Sequence, residues 1–240
     1  MRLPIPPFLR RLKKKMVFRY QDHLFRSDSW RNRIIREYFD HHEITKLQIG
    51  SGWNLLPGWL NTDISIPVCK AGALYLDAGQ PFPFPDNSFD YVFSEHLFEH
   101  LDHAQAVNML KECRRVLKDT GTIRLVTPDF HFLVDLYLHP DTPVNKNYIK
   151  WSANGGGHCP VIPESPLYVI NKFHTAWGHQ IIYDQEALTD LMKECGYLNI
   201  RMCEIGKSDK EALRDVERHF HRMPYEFFEL ETMIFEAEIR

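Results

Sequence analysis

No apolar run in the chain is long enough to cross a bilayer, which excludes a transmembrane helix. The first twenty residues, MRLPIPPFLRRLKKKMVFRY, hold no acid. They also lack the long apolar core and small-residue cleavage site of a secretory signal. Cysteine is sparse: five residues (Cys69, Cys113, Cys159, Cys195, Cys203), odd in number, scattered, with no C-x-x-C spacing. That usage predicts free thiols in a reducing, cytoplasmic setting. Charge of one sign is also missing. The net charge of −3 supplies no overall electrostatic reason to bind nucleic acid. Repeats and low-complexity tracts are absent. What is present, 44% hydrophobic residues over 240 positions, is enough to bury one large core and argues for a single domain.

Residues 1–26 form a basic arm with interleaved apolar side chains. Such an arm suits peripheral contact with an anionic membrane or a phosphorylated substrate, or a plain amphipathic segment packed on the domain. Ser27-Asp28-Ser29 can cap a helix over 29–42, with Trp30, Ile34, Ile35, Tyr38 and Phe39 at helical spacing. Short apolar runs follow at 46–50, 59–64, 72–78 and 89–94, each read as a strand. A helix at 104–117 is stopped by Asp119-Thr120-Gly121, and a fifth strand spans 122–127. Residues 130–180 read as a long irregular insertion rich in Pro, Asn, Gly, His and aromatics, a length that in a compact domain is usually functional. A helix at 184–195 and strands at 200–205 and 232–239 close the pattern. The last strand is expected to add antiparallel at the sheet edge. Strands interleaved with helices mean an α/β fold with a mostly parallel sheet.

In such sheets ligands bind beyond the carboxyl ends of the strands. Four successive strand ends here carry suitable groups: Gly50-Ser51-Gly52, then Asp63, then Asp77-Ala78, then Ser94-Glu95-His96. The glycines let backbone approach a ligand, Asp63 can accept from two ribose hydroxyls, and Asp77 can accept from an exocyclic amine. Each feature is common alone; their ordered recurrence is not.

The block LDAGQPFPFPDNSFDYVFSEHLFEHLDHAQAVNMLKECRRVLKDTGTIRLVTPD resembles the core of class I S-adenosylmethionine (SAM)-dependent methyltransferases of the type 11 group, and IYDQEALTDLMKECGYLNI looks like that group's final helix and strand. The resemblance implies a doubly wound, Rossmann-like, seven-stranded sheet over residues 27–240, with 130–180 covering the substrate as a lid. It implies SAM as cofactor. Gly50, Ser51 and Gly52 would border its methionine part, and Asp63 would hold the ribose. Asp77 and Ala78 would face the adenine, with Ser94 and Glu95 under the sulfonium. Two departures stand out. Gln48 replaces the usual acid of the first loop, and the span from Gly50 to Asp63 is too short for a crossover helix plus a strand.

His96-Leu97-Phe98-Glu99-His100 also matches H-x-x-E-H, an inverted zinc-protease motif in which two histidines share one helix face. The strand–helix pattern around it is wrong for that fold, so no metal is expected. The preferred expectation is methylation of an oxygen on a small molecule or glycan acceptor, with a histidine as base: His96, His100, His158, His174 or His179. N- or C-methylation, and a SAM-fold protein that binds without catalysis, are the alternatives.

Overall fold

The computed structural model describes residues 25–158 and 160–240. The basic arm up to residue 24, Cys159, and the side chains of His158 and Phe220 lie outside the described residues. In chain order the main elements are α1 (Asp28–His41), β1 (Lys46–Ile49), β2 (Leu60–Asp63), α2 (Ile66–Lys70), β3 (Leu74–Tyr75), β4 (Phe89–Glu95), α3 (His103–Val116) and β5 (Leu117–Pro128). They continue with α4 (Phe130–Leu138), α5 (Pro143–Ala153), α6 (Pro166–Thr175), α7 (Gln185–Glu194), β6 (Leu198–Met202), α8 (Tyr225–Glu231) and β7 (Thr232–Glu238).

The strands form one seven-stranded sheet in the order β3-β2-β1-β4-β5-β7-β6. The first five are mutually parallel, and β7 runs antiparallel to both of its neighbours. The expected mixed, mostly parallel sheet is therefore present, with one correction. β7 does not add at the edge; it inserts between β5 and β6, so its apolar run is buried on both faces.

Side chains alternate across the sheet as the two-residue strand period requires. Val92, Ile123, Leu125, Met233, Phe235 and Ala237 pack under α1, α3 and α7 in the main core. Phe93, Val126 and Ile234 face the other way and meet Leu56, Trp59, Leu213, Val216 and Phe228. No crossover helix links β1 to β2. The second face is covered instead by the largely irregular segment 203–224 and by α8. Arg124 pins that segment. Its fully buried guanidinium pairs with Glu217 and Glu236, each at 2.6 Å, and donates to the carbonyls of Lys207 and Glu204.

Residues 130–180, expected to be irregular, fold mostly into α4, α5 and α6. Thr142-Pro143 and Ser165-Pro166, which resemble loop punctuation, are helix starts: Ser or Thr at the N-cap and Pro at the first helical position. These helices share an apolar cluster (Phe132, Leu133, Tyr148, Ile149, Val169, Phe173) reaching Phe227 of α8. The four described cysteines are free thiols, and no described helix is long and apolar enough to cross a membrane.

Candidate active site

The carboxyl ends of β1 and β4 open into a cavity of about 680 Å³ roofed by the insertion and by residues 219–231. Gly50 and Gly52 turn the chain at its edge with φ of +69° and +51°, a region costly for residues with a Cβ. A Cβ on Gly50 would also strike Leu97 at 2.4 Å, whereas one on Gly52 would meet nothing within 4 Å. The first glycine is thus required by packing, while the second leaves open space beside the backbone.

Asp63 ties this turn to the next strand. Its carboxylate accepts from the Gly52 amide at 2.8 Å and from the Ser65 amide at 2.7 Å. Gln48 is buried beneath. It donates to the Asn54 carbonyl and accepts from the Leu56 amide, so it shapes the short β1–β2 connection in a way that an acid, lacking a donor, could not.

On the other side of the cavity β4 ends in Glu95, whose two oxygens receive the backbone amides of Arg218 and His219. Burial pushes this carboxyl above its usual range. His96 follows at φ +48°, and a 3-10 turn (Phe98–His100) comes next, so no regular helix runs from His96 to His100. The helical zinc pair of the sequence pattern does not form. Instead His96 Nδ1 meets Glu99 Oε1 at 3.2 Å, and the Thr127 hydroxyl donates to Glu99 Oε2 at 3.2 Å. Burial alone would lower the His96 pKa, but the hydrogen bond and charge of Glu99 hold it above the ordinary value. Burial would likewise raise Glu99, and His96 outweighs it and brings it down.

The His96 ring packs on His219 with centroids 4.0 Å apart. Burial first, then the charges of His96 and Arg222, push His219 down to about 2, which keeps it neutral. His179 also lies lower than usual, chiefly through burial. At the roof, Glu231 is fully buried and raised to about 7 by that burial, and it accepts a hydrogen bond from the Tyr148 hydroxyl.

The cavity therefore gathers Gly50, Ser51, Gly52, Glu95, His96, His100 and His179 from the expected set. Asp63 adjoins it through Gly52. Asp77 accepts from the Gly79 amide at the end of β3, and Ala78 packs in the main core rather than lining the cavity. Ser94 is buried in β4, its hydroxyl without a protein partner. His174 is exposed on α6, away from the cavity. Sequence reasoning missed Glu231, His219 and Arg222.

SAM fits the residues present. The open space at Gly52 admits a ligand against backbone. Asp63 keeps lone pairs for ribose hydroxyls beyond its two amide bonds, and the unspent oxygen of Asp77 lies one strand further along.

Residues 68–125 match the family model described as a methyltransferase domain. No curated relative matches. Similar solved structures include a SAM-dependent methyltransferase from Archaeoglobus fulgidus, 16% identical, covering 92% of this chain and 99% of that one, with a TM-score of 0.47. Another, from Aquifex aeolicus, is 14% identical over 91% of this chain and 93% of that one, with a TM-score of 0.42. A third is a phosphoethanolamine N-methyltransferase of Haemonchus contortus in complex with phosphomonomethylethanolamine and S-adenosylhomocysteine. It is 15% identical over 86% of this chain and 52% of that one, with a TM-score of 0.44. The matched segment runs from α2 to β5 and includes β4, whose carboxyl end opens into the cavity, so the similarity to a methyltransferase domain covers one wall of the site.

Proposed function

We propose that the protein methylates a hydroxyl oxygen of a small molecule or glycan seated in this cavity, with His96 taking the hydroxyl proton. The observation that carries the reading is the state of His96. Its Nδ1 is engaged by Glu99, while its Nε2 is buried at the cavity wall with no protein partner. A carboxylate on one ring nitrogen fixes the tautomer and leaves the other nitrogen to accept a proton.

Gly50, Ser51, Gly52 and Asp63 would hold SAM at the strand ends. When bound, SAM supplies an electrophilic methyl and departs as a neutral thioether, so the acceptor oxygen must lose its proton as its lone pair forms the new bond. Tyr148, Trp151, Phe173 and Trp177 line the opposite side and offer ring faces to a sugar or planar acceptor. They also exclude water, which strengthens the Glu99–His96 pair.

Calorimetric titration with SAM and S-adenosylhomocysteine tests the first half; folded protein that binds neither would sink the reading. Transfer of labelled methyl to a panel of sugars, nucleotide sugars and phenols tests the second. His96→Gln should lower kcat by about 10²–10⁴ while leaving SAM affinity in place. An unchanged kcat would remove His96 from the chemistry.

A further inference from the structure

The same cavity holds a second arrangement that proton transfer does not use. Oε1 of Glu99 lies 4.0 Å from His179 Nε2. One ligand atom each from Glu99, His100 and His179 can be chosen so that all lie within 4.8 Å of one another. The His100 and His179 rings meet edge to face, 78° apart with centroids at 4.8 Å. Donor atoms around one metal ion, each at about 2.0–2.2 Å, sit roughly 3–3.5 Å apart. Closing from the present spacing is a side-chain adjustment of about an ångström.

Charge points the same way. Glu95, Glu99 and Glu231 all line the cavity, and among the described lining residues Arg222 is the only ammonium or guanidinium group. Glu95 is met by backbone amides and Glu231 by a tyrosine hydroxyl. Glu99, whose side chain is 1% exposed, meets the Thr127 hydroxyl, His96 and, at 4.0 Å, His179. A carboxylate so deeply buried is stabilised by positive charge, which a metal ion would add to that of His96. Two imidazoles and one carboxylate suit zinc or iron rather than magnesium or calcium, which prefer all-oxygen shells.

We propose that Glu99, His100 and His179 form a binding site for a divalent transition-metal ion of the zinc or iron class. Three protein ligands leave coordination positions open toward the cavity, where an acceptor oxygen binds and is acidified. His96 then serves the site from outside, its Nδ1 hydrogen bond orienting the ligating carboxylate. The assignment deepens the proposed O-methylation, since it names what positions the hydroxyl.

Protein stripped with chelator is titrated with Co²⁺, followed by its visible absorption, and with Zn²⁺ in competition. Wild type is expected to take up about one equivalent, with two imidazole ligands in the X-ray absorption spectrum. His100→Ala and His179→Ala should each weaken binding by more than the roughly 10–100-fold that loss of an outer-shell partner costs. His174→Ala, on the exposed side of α6, should bind as wild type does. Thermal unfolding of the metal-free variants reports whether they fold, and if they do not, the wild-type ligand spectrum decides. Wild type that binds Co²⁺ no tighter than the His100→Ala/His179→Ala double variant, or a spectrum without imidazole, overturns the assignment. SAM titration of the same stripped wild type separates the two ideas. Protein that binds SAM but fails the Co²⁺ titration loses only the metal site, and protein that passes the Co²⁺ titration but binds no SAM loses the methylation reading.

Discussion

Asp63→Ala is the sharpest test of the cofactor register. The Asp63 carboxylate accepts two backbone amides, from Gly52 at 2.8 Å and Ser65 at 2.7 Å, and joins the glycine turn to the start of α2. Hydrogen bonds to a charged acceptor contribute about 1.5–3 kcal/mol each when buried, less where water can replace the lost partner. Asp63 is half-buried, so the apo protein should lose about 2 kcal/mol in total. For a domain of this size that lowers Tm by about 4–8 °C. Two ribose hydroxyls donating to the same carboxylate add about 2–3 kcal/mol on the ligand side, or roughly 30–150-fold in Kd for SAM. Calorimetry with SAM and S-adenosylhomocysteine, run beside thermal unfolding, separates the two effects. Asp63→Asn, which retains one acceptor oxygen, should fall between wild type and Ala on both. A folded Asp63→Ala whose SAM affinity stays within about twofold of wild type would show that the ribose lies elsewhere.

Two further outcomes follow from buried charge. Glu231 has its pKa raised from 4.5 to about 7, chiefly by burial, next to Tyr148 and within the fields of His96, Glu99 and Lys172. The folded state thus holds a proton that the unfolded state releases, so this stabilisation is complete below about pH 4.5 and is lost as pH rises through about 7. Glu231→Gln should remove that dependence, gaining on wild type by up to about 3 kcal/mol above neutrality in urea melts. A constant difference across pH would contradict it. Arg124→Met removes the ion-pair partner of Glu217, which is 1% exposed, and leaves the fully buried Glu236 with Arg201 alone, so it should cost about 3–5 kcal/mol in chemical denaturation. Adding Glu217→Gln and Glu236→Gln should recover part of the loss, and a cost below about 1 kcal/mol for Arg124→Met alone would mean that water reaches the triad.

What could be read from the sequence was whatever depends on local periodicity. The apolar spacing of α1, α3 and α7 and the runs at β1, β4 and β5 are set by neighbours in the chain, and they appear close to where the pattern puts them. The insertion was misread because proline and serine or threonine mark loops and helix starts with the same letters; only packing against α8 decides between them. The position of β7 was misread because nothing within Thr232–Glu238 says whether a neighbour lies on one side or two. In the site, Gly50, Ser51, Gly52, Glu95 and His96 were readable because they follow strands. His219 and Glu231 were not, since they reach the cavity through a segment whose path is set by distant partners.

Those distant partners connect the shortened first loop to the chemistry. With no helix between β1 and β2, the second face of the sheet needs another cover, and Leu213, Val216 and Phe228 supply it against Leu56 and Trp59. The cover is locked at its ends by Arg124–Glu217 inside the sheet face and by Glu95 accepting the Arg218 and His219 amides at the tip of β4. Bringing the segment there also lays His219 on His96 and carries Arg222 to the cavity. The short β1–β2 connection is therefore offset by a piece of chain that becomes a wall of the cavity. Glu95, which the family pattern assigns to the cofactor, spends both oxygens holding that wall. Its loss should thus be felt first in the geometry around His96 and only second in SAM affinity.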